Sequence, residues 1–189
     1  MKIVSAALAM LAATAMTAAG AFAQESDANL VIELESGEVV IDLLPDVAPQ
    51  HVERIKALAE AGEYDNVAFH RVIEGFMAQT GDVAFGDMSD GYSAAQVGTG
   101  GSDLPDLPAE FSDIPFERGV VGMARSQNPD SANSQFFITF AEAPFLNGQY
   151  TVVGRVVEGM EHVDAIQKGD RANNGAVDTP DRMIDVRVE

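Results

Sequence analysis

The sequence predicts a mainly β protein, folded as a closed antiparallel barrel with helices as caps. Several short apolar runs recur along the chain, bounded by glycine, proline and polar residues, and such runs are typical of strands. Only two segments carry apolar residues at helical spacing. Most of the predicted strands are joined by loops alone, whereas paired parallel strands need a long crossover that is usually helical.

The first two predicted strands form a hairpin. They occupy residues 29–35 and 38–44, and only Ser36-Gly37 separates them, as in a tight turn. Pro45 ends the second strand, because proline cannot donate a ladder hydrogen bond. On one face of each strand every second residue is apolar, namely Leu30, Ile32, Leu34, Val39, Ile41 and Leu43.

Two helices and further strands follow. The first helix spans residues 46–61, with Pro49 in its first turn and Gly62 past its end, where these residues are favoured. A second, short helix has Met160, Val163 and Ile166 on one face and is expected to end at Gly169. The remaining strands are predicted at 67–72, 119–124, 135–140, 151–157 and 183–188. A long segment rich in Gly, Ser, Asp and Pro separates Asp82 from Glu110, and such loops are usually functional or mobile.

Residues 1–23 have the pattern of a secretory signal peptide. A short positive region precedes an apolar run at 3–19, and Ala21-Phe22-Ala23 provides a small-x-small cleavage site. The alternative is a membrane anchor, but the run is short and alanine-rich for a spanning helix. We therefore expect one domain at residues 24–189, located in the periplasm.

Composition excludes several classes of function. The chain has 30 acidic and 11 basic residues, a formal net charge of −19, so nucleic acid and anionic membranes would repel it. It has no cysteine, hence no disulfide framework. His51, His70 and His162 show no metal-ligand spacing, and no nucleophile motif is found. We expect neither a metal nor a cofactor.

Residues 69–82 are the most informative segment. Arg71 and Gln79 lie among large apolar side chains there, and an arginine in such surroundings needs a defined partner. Taken alone, Arg71 is better interpreted as half of a core salt bridge. A site of this composition can polarise an amide but lacks the groups needed to cleave one, so it favours a reaction without covalent chemistry.

From Asn29 to Glu189 the chain resembles the cyclophilin family of peptidyl-prolyl cis-trans isomerases. The similarity rests on blocks in family order: Phe69-His70-Arg71-Val72-Ile73, Phe76-Met77, Gln79-x-Gly81-Asp82, Gly98-Thr99-Gly100-Gly101, Gly122-Met123-Ala124, Asn133-Ser134-Gln135-Phe136-Phe137-Ile138, Pro144-Phe145-Leu146-Asn147-Gly148 and Val152-Val153-Gly154-Arg155-Val156. The resemblance implies an eight-stranded antiparallel barrel closed by two helices.

The resemblance also implies roles for individual residues. Arg71 corresponds to the catalytic arginine of the family, and Gln79 and Gln135 to polar groups that hold the substrate backbone. Ala124 and Arg125 correspond to the strand edge along which the peptide lies. The walls of the proline pocket correspond to Phe76, Met77, Phe137 and Leu146, and positions bordering the groove to His70, Gly98, Phe145 and Tyr150. Met123 and Phe136 alternate with these residues and are assigned to the core.

Three residues depart from the family pattern. Phe145 stands where many members have Trp, Tyr150 where many have His, and Arg125 where many have Asn. Because Phe145 lacks the indole donor, we expect weak binding of cyclosporin. The substitution by Arg125 should be tolerated if this position pairs mainly through its backbone.

The resemblance implies an isomerase that accelerates rotation about X-Pro bonds, acting on proline-containing segments of exported proteins. We expect a monomer. The main alternative is a cyclophilin-like module that binds proline segments without catalysis, as a chaperone or assembly factor. A lectin-like or purely structural barrel is a weaker alternative, because it gives no reason for Arg71.

Overall fold

The computed structural model describes residues 28–189, and the predicted signal peptide lies outside this range. The strands are β1 (Asn29–Leu34), β2 (Gly37–Leu43), β3 (Arg71–Ile73), β4 (Met77–Thr80), β5 (Val120–Met123), β6 (Phe136–Thr139), β7 (Val152–Glu158) and β8 (Asp185–Val188); the helices are α1 (Pro49–Glu60) and α2 (Met160–Ala165). This mainly β composition with two α-helices confirms the prediction. No α-helix within residues 28–189 has the length and apolar character needed to span a bilayer.

The predicted N-terminal hairpin is confirmed, with a turn one residue earlier than expected. Leu34 pairs with Gly37, so Glu35-Ser36 form the turn and Gly37 begins β2. Gly37 has a φ of 141°, and a Cβ placed there would lie 2.4 Å from the His162 ring. Glycine is therefore required where α2 approaches the hairpin.

All eight strands form one antiparallel sheet in the order β3-β4-β6-β5-β7-β2-β1-β8. This sheet is an open half-barrel with β3 and β8 at its edges, so the prediction of a closed barrel is wrong. The backbone of residues 67–72 pairs with the segment before β8 only at isolated bridges, such as Ala68 with Arg182. Pro180 has no N–H to donate, and Asn174 and Gly175 are left-handed at φ 53° and 80°, so this segment cannot form a continuous strand.

The two faces of the sheet bury different residues because side chains alternate along each strand. One face packs with α1 around the main core, which contains Met123, Phe136 and Ile138, so the assignment of Met123 and Phe136 to the core is confirmed. The opposite face carries a smaller apolar cluster, called here the outer cluster: Met77, Phe116, Val120, Phe137, Ala143, Leu146 and Val152.

The long segment after β4 is fixed to α1 by a side chain from outside the helix. α1 has no side-chain cap of its own. Glu110 accepts hydrogen bonds from the backbone N–H groups of Gln50 (3.3 Å) and His51 (3.2 Å) and lies 2.6 Å from His51 Nδ1. A carboxylate at this helix end satisfies free N–H groups and complements the helix dipole.

α2 is shorter than predicted. It ends at Ala165, and Ile166 already has an extended backbone (φ −53°, ψ 134°). Both Val163 and Ile166 are nevertheless buried, as the helical pattern required. The apolar pattern that predicted a helix as far as Gly169 therefore reflects burial of residues that follow the helix, rather than a longer helix.

Candidate functional site

The sheet register brings distant residues into one row. Arg71 pairs with Gln79, Gln79 with Phe137, and Phe137 with Gly122. Residues paired across neighbouring strands project to the same face. The sheet thus places the arginine, the amide and an aromatic ring side by side next to the outer cluster.

Arg71 is held by a residue that the sequence analysis did not identify. Its Nε donates to the backbone carbonyl of Asn174 (3.0 Å) and its Nη2 to Asn174 Oδ1 (3.1 Å), while Nη1 donates to Gln79 Oε1 (3.1 Å). Nη1 also lies 3.9 Å from the Met77 sulfur, a weak acceptor. Asn174-Gly175 could be recognised in the sequence as a turn, but nothing there links it to an arginine 103 residues away.

Arg71 has no carboxylate partner among the described residues. The interpretation as half of a salt bridge, which the residue taken alone had favoured, is therefore wrong. Burial lowers the pKa of Arg71, an effect that Tyr150 opposes. An arginine remains protonated at neutral pH in spite of such a shift, so a half-buried positive charge faces the groove.

A chain of hydrogen bonds connects Arg71 to a buried carboxylate. Gln79 Nε2 donates to Gln135 Oε1 (3.0 Å), and Gln135 Nε2 donates to the carbonyl of Gly100 (2.8 Å). The Gly100 N–H in turn donates to Asp82 Oδ2 (2.9 Å), and Asp82 is fully buried. These hydrogen bonds fix the orientation of the Gln79 and Gln135 amides, and the position of Arg71 with them.

The four predicted pocket residues come together. Met77, Phe137 and Leu146 belong to the outer cluster, and Phe76 packs against it. Phe116 stacks on Phe137 with ring centroids 5.7 Å apart. A Cβ at Gly122 would lie 2.7 Å from both rings. Neither Phe116 nor Gly122 was predicted as a site residue, because their contact with Phe137 depends on long-range packing.

These residues border a groove of about 410 Å³, called here the arginine groove. It is lined by Arg71, Phe76, Met77, Gln79, Ala124, Arg125, Phe137, Phe145, Leu146, Gln149 and Tyr150. Phe145 is 62% exposed and lies at the rim, with its ring 5.3 Å from Phe76. Ten of these eleven residues were predicted from the sequence; Gln149 was not.

Two of the departures from the family pattern contact each other. The guanidinium of Arg125 lies 4.3 Å from the centre of the Tyr150 ring, within the range of a cation–π interaction. Tyr150 in turn meets Phe137 edge to face at 5.9 Å. Arg125 and Tyr150 therefore form one wall of the arginine groove as a pair.

A second, more polar cavity of about 550 Å³ adjoins the first. Gly98, Gly100 and Gln135 line it, and it shares Gln79, Ala124 and Arg125 with the arginine groove. The structure thus divides the predicted site residues between two adjoining cavities. Arg125 stands where they meet.

His70 lies beneath this site and lines neither cavity. It is 6% exposed, and a Cβ at Gly98 would come within 3.2 Å of its ring. Burial lowers the pKa of His70, against the opposing effect of Asp82. His70 thus supports the Gly98 loop from below, and its predicted contact with substrate stays a prediction.

No group of three His, Cys, Asp or Glu side chains within residues 28–189 could hold a metal ion. The described site offers a charged donor, amide groups and an apolar pocket. Such a set can orient and polarise a peptide bond.

Comparison with known proteins identifies the family of residues 29–188. Residues 29–188 match the family of cyclophilin type peptidyl-prolyl cis-trans isomerases. The chain is 57% identical to a probable peptidyl-prolyl cis-trans isomerase of Brucella suis, over 100% of this chain and 98% of that protein. It is 40% identical to a peptidyl-prolyl cis-trans isomerase of Rhizopus delemar, over 84% of this chain and 24% of that protein.

Solved structures of cyclophilins have a similar fold. A cyclophilin from Hirschia baltica has a TM-score of 0.71 at 27% identity, over 86% of this chain and 74% of that one. A Cryptosporidium parvum cyclophilin type isomerase, solved in the presence of the dipeptide Ala-Pro, has a TM-score of 0.72 at 26% identity, over 85% and 98%. The chain belongs to the cyclophilin-type peptidyl-prolyl cis-trans isomerases and is an isomerase.

Proposed function

We propose that the arginine groove binds the proline of an X-Pro segment in its apolar pocket while Arg71 stabilises the twisted amide. The observation that carries this proposal is the position of the Arg71 guanidinium, which is fixed beside the pocket and has no carboxylate partner among the described residues. The Ala-Pro dipeptide used with the Cryptosporidium relative supports the same substrate chemistry.

The donor inventory of Arg71 fits this role. Asn174 and Gln79 occupy three of its five N–H groups, and the Met77 sulfur contacts a fourth. Rotation breaks the amide resonance and leaves a lone pair on the prolyl nitrogen, which becomes an acceptor. The free N–H and the one now facing sulfur would donate to this nitrogen and to the neighbouring carbonyl.

The energetics require more than Arg71. The barrier to rotation is ~18–20 kcal/mol, and a turnover of order 10³ per second requires lowering it by about 7 kcal/mol at ~1.4 kcal/mol per tenfold. A hydrogen bond to a charged group contributes ~1.5–3 kcal/mol. The twisted amide is less polar than the planar one, so the apolar pocket formed by the outer cluster should favour it further.

Substitution of Arg71 tests this mechanism. Arg71→Lys keeps the charge but cannot donate to both atoms at once, so we expect it to lose most activity toward a short Pro-peptide, as Arg71→Ala should. The thermal midpoint should stay within a few degrees, because Arg71 lines an open groove.

Arg155→Lys is the matched control, since Arg155 is exposed and faces Glu117 at 3.6 Å outside the groove. Near-normal turnover by Arg71→Lys would contradict the mechanism. Proline-peptide binding by the wild-type protein without isomerisation would instead favour the non-catalytic module.

We also propose that the enzyme acts, as a monomer, on exported proteins in the periplasm. The support is the sequence of residues 1–23, in which an apolar run precedes Ala21-Phe22-Ala23. Mass analysis of periplasmic material should find an N-terminus at Gln24. A chain retaining residues 1–23 would contradict this location.

A further inference from the structure

Arg125 is a cation without an anionic partner among the described residues. Its Nε and Nη2 donate to the carbonyl of Gln149 (3.3 and 2.8 Å), and Nη1 donates to the carbonyl of Ser126 (2.9 Å). Elsewhere in the described chain, Arg118, Arg155 and Arg187 each face a carboxylate. In a chain of net charge −19, Arg125 resembles Arg54 in donating only to neutral carbonyls. Arg125 differs from Arg54 in that it lines both cavities of the site.

The guanidinium of Arg125 is also held in place. Its contact with the Tyr150 ring at 4.3 Å and its three bonds to backbone carbonyls limit its rotation, so less side-chain entropy is lost when it binds a ligand. Those three bonds use three of its five N–H groups. Two remain for an acceptor in the groove.

The position of Arg125 determines what it can contact. It borders both the arginine groove and the polar cavity, beside Gln79 and Ala124. A peptide whose proline fills the apolar pocket must pass this junction to enter the polar cavity. Asp106 is the one carboxylate lining the polar cavity, and it already accepts a hydrogen bond from Asn133 Nδ2 (3.0 Å).

We propose that Arg125 selects substrates that carry an acidic side chain next to the proline. The inference rests on the proposed function, since it assumes that the proline occupies the apolar pocket. The two free N–H groups form a fork suited to a carboxylate. Because the whole-protein charge repels acidic peptides, a preference for glutamate at one position would identify a local contact.

The experiment uses matched peptides with Glu or Gln at each of the two positions adjacent to the proline, one before it and one after it. The measured quantity is the ratio of kcat/KM for the Glu peptide to that for the Gln peptide. For the wild-type protein we expect a ratio of about threefold to tenfold at one position, as for a partly exposed ion pair. The gain should appear in KM, because the contact is present in the ground state and the transition state alike.

Arg125→Gln should reduce this ratio to one or below. Arg155→Gln, which removes the same charge outside both cavities, should keep the wild-type ratio. Raising the ionic strength from about 0.1 M to about 1 M shortens the Debye length from about 10 Å to about 3 Å and should weaken the preference.

Equal kcat/KM values for the Glu and Gln peptides at every position would overturn this inference and leave the proposed function intact. The same holds if the preference persists in Arg125→Gln. If the wild-type protein isomerises no proline peptide, the proposed function fails, and this inference fails with it.

Discussion

Asn174 offers the most direct test of how Arg71 is positioned. Its backbone is left-handed at φ 53°, a conformation that glycine adopts readily. Asn174→Gly therefore removes only the Oδ1 acceptor of Arg71 Nη2 and keeps the carbonyl that binds Nε. The perturbation is a single hydrogen bond to a charged group.

The expected loss follows from the remaining contacts. A bond to a charged group contributes ~1.5–3 kcal/mol when sheltered, but Asn174 is exposed and Gln79 still holds Nη1 at 3.1 Å. We therefore expect about 1 kcal/mol, a roughly fivefold fall in kcat/KM. The fall should lie in kcat, because in the proposed mechanism Arg71 stabilises the twisted amide rather than the planar one.

Peptide isomerisation and thermal unfolding should be measured together, with Asn173→Gly as the control. Asn173 is the exposed neighbour of Asn174 and makes no contact with Arg71. Its replacement should leave kcat unchanged. Unchanged activity in Asn174→Gly, or an equal loss in both variants, would refute the positioning role.

Four further outcomes are expected. Because the proposed mechanism contains no proton transfer, kcat/KM should be nearly flat between about pH 6 and 9, and a steep profile that survives His70→Gln would reveal a missed acid or base. Because burial lowers the pKa of His70, the unfolded state binds its proton first; stability should therefore fall as pH drops below about 6.5, and His70→Gln should reduce that fall in denaturant titrations. Glu110→Ala should lower the unfolding free energy by about 1–2 kcal/mol without moving KM, and an unchanged thermal midpoint would contradict its capping role. Phe145→Trp should strengthen cyclosporin inhibition about tenfold to a hundredfold by adding an indole donor; equal affinity in the wild-type protein would place Phe145 away from the drug.

Local patterns in the sequence predicted the hairpin and both helices because alternation and helical spacing are read within a few residues. β4 was not predicted as a strand. Its four residues, Met77–Thr80, are too few to establish a period of two, and Gln79 points into the groove although the pattern suggests a buried run. The structure assigns β4 through its pairing with β3 and β6, which no local pattern reveals.

Openness of the sheet could not be predicted for a related reason. Whether the edges join depends on residues 174–183 facing 67–72, two segments far apart in sequence. The amino-acid composition of the two edge segments is compatible with either a closed barrel or an open sheet. Pro180 and the left-handed pair Asn174-Gly175 decide it, and their effect is visible only once the two segments are placed opposite each other.

Site residues could be predicted where they lie in a sequence block shared with the family. Those placed by tertiary packing alone could not. Arg71, Gln79 and Phe137 fall in such blocks and line the arginine groove. Phe116, by contrast, supports Phe137 from a segment without a block. Function could thus be predicted from the residues that contact substrate in the family. The residues that orient them could be identified only from the strand register and the loop positions in the structure.

Two arginines without a carboxylate partner suggest how so acidic a chain keeps free donors in its groove. Arg71 and Arg125 both line the arginine groove and face no carboxylate within residues 28–189. Carboxylates placed beside them would neutralise the donors and compete with a peptide for the same N–H groups. Acidic residues elsewhere on the surface increase solubility without this effect. A strongly acidic chain can therefore keep two arginines with free N–H groups in the proposed peptide groove, because no carboxylate of residues 28–189 is paired with either of them.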